Sequence, residues 1–122
     1  MKICWAMIMV KNMDESIRFY HEILGLPIIK RFGGKAGPEI AFLGDGETQI
    51  ELVCQAGKED IDIGPDISIG FEVPFVDDLI DDLMQKGIAI ASGPFQPNAK
   101  LKFFYVHDPN GLSVQFVQRN TD

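Results

Sequence analysis

A chain of 122 residues, 46% apolar and 24% charged, is sized for one soluble domain with a real core, and it shows neither a signal-peptide pattern nor an apolar run long enough to cross a bilayer. A formal charge of −7 excludes a general nucleic-acid binder, which needs a basic footprint, and favours cationic over anionic ligands. The two cysteines, Cys4 and Cys54, sit in apolar runs and read as reduced, buried thiols of a cytoplasmic protein.

Residues 3–10 are β-compatible and apolar at every position, which predicts a strand covered on both faces. Asn12, with Glu15 three residues later, forms a capping-box pattern at a helix start. Met13, Ile17, Tyr20 and Leu24 then recur at helical spacing, and Gly25 is placed to end the helix in a left-handed turn. Strands are expected over 26–32, 39–43 and 48–54, separated by Gly33-Gly34 and by Gly44-Asp45-Gly46.

A polar stretch leads into a linker over 57–65, and the order then restarts. Residues 67–73 read as a strand. Val76, Leu79, Ile80, Leu83 and Met84 follow at helical spacing, with Asp77 and Asp78 in the first turn, where the helix dipole favours negative charge. Phe75 stands at the capping position and is a poor cap. Gly87 stops the helix, 88–91 reads as a strand, and Pro94 to Asn98 reads as a loop. The last two strands, 101–106 and 112–117, flank Asp108-Pro109-Asn110-Gly111, which is strong turn chemistry.

The chain is thus one strand–helix–strand–strand–strand unit written twice, 1–56 and 66–119. Trp5 and Val10 register with Ser68 and Val73, Gly25-Leu26-Pro27-Ile28 with Gly87-Ile88-Ala89-Ile90, and Glu51 with Gln115. Strand alternation places Trp5, Met7 and Met9 on one face, as it does Gln49, Glu51 and Val53, Ser68, Gly70 and Glu72, and Ser113, Gln115 and Val117. For the seventh strand either Phe104, or Phe103 with Tyr105, belongs to that face.

A doubled βαβββ unit of this length resembles the vicinal oxygen chelate superfamily, which includes glyoxalase I, extradiol dioxygenases and bleomycin-resistance proteins. The resemblance rests on Met13-Asp-Glu-Ser-Ile-Arg-Phe-Tyr20 through Leu24-Gly25-Leu26, on Gln49-Ile50-Glu51-Leu52, and on Asp108 to Gly111. It implies an α+β fold in which two tandem modules form a curved mixed sheet around a ligand cleft, and a homodimer. It also implies four metal-ligand places, one on the first and last strand of each module, and these hold Trp5, Glu51, Ser68 and Gln115. Only Glu51 is an ordinary ligand, so no metal cofactor is expected beyond a weakly held divalent cation.

What remains is a face with an indole, thioethers, carboxylates and neutral hydrogen-bonding groups, suited to a cationic or aromatic small molecule. The residues expected to touch it are Trp5, Met7, Glu51, Ser68, Gln115, and either Phe104 or Tyr105. Trp5 either fills space or offers a stacking platform. Ser68 and Gln115 either meet the ligand or pair with Glu51 as a structural network. Glu51, set between Ile50 and Leu52, needs a partner or a function. Two functions follow: metal-independent binding of a small organic molecule without nucleic acid or membrane, or a glyoxalase-type lyase or isomerase with Glu51 as general base. His21 reads as surface and His107 as a solvated turn residue.

Overall fold

The computed structural model describes residues 1–120 and divides into two compact units, Met1–Asp62 and Ile63–Asp122. The first unit holds strands β1 (Trp5–Met9), β2 (Ile28–Gly33), β3 (Glu39–Leu43) and β4 (Gln49–Cys54) in the order β1-β4-β3-β2. The second holds β5 (Ser68–Glu72), β6 (Ser92–Asn98), β7 (Leu101–His107) and β8 (Ser113–Arg119) in the order β5-β8-β7-β6. In each, the first strand runs parallel to the last and the remaining pairs are antiparallel. The doubled topology expected from the repeat is what forms.

In the first unit, helix α1 (Met13–Ile17) begins where the capping pattern places it, and Asn12 Oδ1 accepts the Glu15 amide hydrogen at 2.9 Å. The helix then widens into a π-helical stretch over Arg18–Ile23, with the Leu24 amide bonded to the Phe19 carbonyl five residues back. The wider turn shifts the buried phase. Phe19, Tyr20 and Ile23 enter the core and Leu24 is only half-buried. Gly25, at φ +84°, then turns the chain as its position predicts.

Each sheet has one covered face. Ala41, Leu43, Ile50, Leu52, Ile8 and Val10 supply it in the first unit, and Phe104, Val106, Val114 and Phe116 in the second. β1 is therefore covered on one face and not on two: Ile8 is 4% exposed whereas Trp5 and Met7 are 49% and 53% exposed. Its apolar open side is not explained by burial within its own unit. The thiols also depart from expectation, since Cys4 is exposed and Cys54 half-buried, both free.

In the second unit, α2 (Val76–Gln85) buries Val76 and Leu83, and Met84 points to solvent. The sixth strand is not at 88–91 but at Ser92–Asn98, over residues that read as a loop because they contain Pro94 and Pro97. Proline removes a ladder donor, so it is excluded from central strands but tolerated at an edge. β6 is the edge strand of its sheet, with an irregular register against β7.

The closing hairpin is organised by Asp108, which is 5% exposed. Its Oδ1 accepts the amide hydrogens of Asn110 and Leu112, each at 2.8 Å, and its own amide donates to the Leu112 carbonyl. The side chain thus replaces two backbone acceptors that a tight turn withholds. Among the described residues no helix is long and apolar enough to cross a membrane.

Candidate functional site

Strand register builds the open face of the first unit in rows. Met7 stands opposite Glu51, Glu51 opposite Phe42, and Phe42 opposite Lys30. A second row runs Met9, Val53, Ile40, Phe32, and Trp5 lies opposite Gln49. The rings meet across these rows. Trp5 and Phe42 lie edge to face with centroids 5.4 Å apart, and Phe42 and Phe32 stack at 6.5 Å.

Glu51 is half-buried in this apolar setting, yet its carboxylate makes no hydrogen bond or ion pair with any described residue. A carboxylate partly withdrawn from water without a partner loses hydration and gains nothing in return. Such a group is set to receive a cation or a donor from outside the unit. The strand positions of Trp5, Met7 and Glu51 are as alternation predicts. Phe42 and Phe32, which alternation along β3 and β2 could have supplied, complete the aromatic row.

On the second unit's open face, Ser68 stands opposite Ser113, Gly70 opposite Gln115, and Tyr105 opposite both Gln115 and Ser92. The Gln115 amide group donates to the Tyr105 hydroxyl at 3.2 Å, so Gln115 finds its partner within its own unit. The register also settles the seventh strand. Phe103 and Tyr105 lie on the open face, and Phe104 is fully buried on the opposite side, in contact with Phe116 at a ring separation of 5.2 Å. Phe104 is therefore a core residue and leaves the candidate site, because pairing Phe104 with Phe116 and Val106 with Val114 buries four apolar side chains together.

Glu72 and Arg119 form an exposed ion pair at the far end of this face. The hydrogen bond from Arg119 holds the Glu72 carboxyl below the usual glutamate range, and Glu72 raises Arg119 in turn.

A family model described as Glyoxalase/Bleomycin resistance protein/Dioxygenase superfamily matches residues 2–116. The chain belongs to that superfamily. Over 132 aligned positions it is 27% identical to the lactoylglutathione lyase of Neisseria meningitidis, covering 99% of this chain and 93% of that protein. Its fold is similar to the Leishmania major glyoxalase I, with TM-score 0.82 and 24% identity over 97% of this chain and 86% of that one. It is also similar to TnmS3, an antibiotic binding protein from a Streptomyces species, with TM-score 0.78 and 18% identity over 98% and 97% of the two chains.

Superfamily membership raises the question of a metal centre. The four places that the resemblance assigns to the metal, Trp5, Glu51, Ser68 and Gln115, hold one indole, one carboxylate, one hydroxyl and one amide, and an indole has no lone pair to offer a metal. Among the described residues no group of three or more histidine, cysteine, aspartate or glutamate side chains is placed to hold a metal ion. The residues present do not fit the group that the superfamily implies.

Proposed function

We propose that this superfamily member binds a small cationic or aromatic organic molecule on the open face of its first unit, without the metal used by its enzyme relatives. The observation that carries this reading is Glu51: half-buried, without a partner, and opposite Met7 and Phe42 with the exposed indole of Trp5 beside them. Two rings at a steep angle and a carboxylate attract a positive centre through the ring faces and through charge. The net charge of −7 adds long-range attraction of the same sign. Likeness in fold to an antibiotic binding protein agrees with a binding role.

Trp5 is the sole tryptophan, so its fluorescence reports the site directly. Titration with a panel of small aromatic cations is expected to give saturable changes, weakened by Glu51→Gln. Equal affinities for wild type and Glu51→Gln across the panel would sink the reading.

A second reading is favoured by the naming of the Neisseria relative, a lactoylglutathione lyase. In it Glu51 takes a proton from a carbon acid as general base. The donor set speaks against it, because nothing at the four places supplies an electrophile for the resulting oxyanion. Deuterium exchange into 2-oxo hemithioacetals separates the two: exchange lost in Glu51→Gln supports the lyase, and none supports binding alone.

Free cysteines agree with a cytoplasmic protein. Exposed Ile3, Ile28 and Ile29 in the first unit agree with a homodimer, which sedimentation measures directly.

A further inference from the structure

Glu51 shares the open face of the first unit with a second lone charge. Lys30 of β2 lies opposite Phe42, which lies opposite Glu51, so one row of the sheet reads lysine, phenylalanine, glutamate. Across the two rows that start from Met7 and Met9, every other position is apolar. The Lys30 ammonium has no hydrogen-bond or ion-pair partner among the described residues. Its neighbour Arg31 differs: it pairs with buried Ala41 on the covered side, where Asp14 and Glu39 both bind its guanidinium. Lys30 and Glu51 stand two strand spacings apart, about 10 Å. Side chains of their length could close much of that gap, yet they do not meet. Phe42 stands between them, half-buried and held by Trp5 at 5.4 Å and Phe32 at 6.5 Å.

Opposite charges without partners, kept apart by a ring, select for a dipolar ligand. A cationic nitrogen meets Glu51, an acid group accepts from the Lys30 ammonium, and an aromatic spacer lies against Phe42 and Trp5. A pure cation, metal or organic, reaches Glu51 but leaves Lys30 repelling it across the row. A pure anion gains Lys30 and is repelled by Glu51, the more deeply placed of the two, half-buried where Lys30 is exposed. A neutral aromatic molecule covers Glu51 without offering it a partner. Building on binding at the Glu51 face, we infer that the ligand is an aromatic zwitterion, its amine on Glu51 and its acid group on Lys30 across the Phe42 ring.

The test follows Trp5 fluorescence of the intact protein at low salt, where charge effects are least screened, with three matched probes. These are 4-(aminomethyl)phenylacetate, 4-methylbenzylamine and 4-methylphenylacetate: the zwitterion, its amine half and its acid half. The zwitterion should bind about threefold tighter than the amine, the usual worth of an exposed ion pair, and the acid should bind weakest. Glu51→Gln should weaken both amines. Lys30→Gln should abolish the zwitterion's lead and leave the plain amine as tight as before, or up to about twofold tighter. Lys30→Glu should reverse the order of the two. Structural damage would instead weaken both amines alike. The inference is overturned if wild type binds the two amines equally. It is also overturned if Lys30→Gln changes both affinities alike or neither, as expected of a lysine that only guards the β2 edge. Each of those outcomes leaves the Glu51 reading standing. No response to either amine, or undiminished affinity for both in Glu51→Gln, removes that reading and this inference together.

Discussion

Gln118 caps a helix forty-two positions before it in the chain: its Oε1 accepts the Val76 amide hydrogen at 2.9 Å. The Phe75 side chain, at the usual capping position, makes no such bond. One of the free amide donors in the first turn of α2 is thus satisfied from β8, across the chain. Gln118→Ala should cost about 1 kcal/mol, the usual value of a lost cap, and lower the melting temperature by roughly 4 °C. Gln118→Glu keeps an acceptor oxygen beside the helix N-terminus and should recover most of the loss. Thermal unfolding followed by circular dichroism measures both.

Asp108 carries a larger share of stability than its place in a turn suggests. Removing its carboxylate leaves the Asn110 and Leu112 amide hydrogens without their acceptor at a site that is 5% exposed. Asp108→Ala should cost about 3 kcal/mol, from two unsatisfied buried donors, whereas Asp108→Asn keeps one acceptor oxygen and should cost about half of that. Urea denaturation at equilibrium distinguishes the two.

Glu51→Gln is expected to separate stability from binding. The wild-type carboxylate has no partner among the described residues, so its neutral isostere should leave the melting temperature unchanged or slightly raised. Affinity for a bound cation should fall about tenfold, the worth of one charge-assisted hydrogen bond. A loss of stability equal to the loss of affinity would show that Glu51 has a structural partner.

The Glu72–Arg119 pair makes a pH prediction with a definite sign. The hydrogen bond from Arg119 holds the Glu72 carboxyl below the ordinary glutamate range, so the pair's contribution is fully present above that range and is lost as pH falls through the lowered folded-state value. The pair is exposed and its effect on stability is small. Arg119→Leu should move the Glu72 midpoint upward toward the ordinary glutamate range, as read by carboxyl-carbon NMR titration.

Metal addition gives a direct check on the donor set. A ligand that binds only the folded protein, at a hundred times its dissociation constant, adds about 2.7 kcal/mol. Chelator-treated protein should melt at one temperature with or without zinc, nickel, manganese or magnesium. An upward shift of several degrees with one of them would return the lyase reading to the front.

The order of elements, the doubling of the unit and the open-face positions of Trp5, Met7, Glu51, Ser68 and Gln115 were all legible along the chain. The reason is local: strand alternation, helix caps and glycine turns act over a few residues and leave a periodic record. Long-range pairing left no such record. Residues 101–107 are apolar on both faces, and Lys102 on the covered side obscures the pattern until its ammonium is seen 2.7 Å from Asp77 on α2. Pairing with β8 buries Phe104 and turns Tyr105 to the open face. β6 runs through two prolines because it lies at an edge, and edges belong to sheets. The amino-acid sequence by itself determined which residues could share a face. Tertiary structure alone decided which face was buried, which partner Gln115 took and which strand capped α2, because each depends on segments that meet only when the chain has folded.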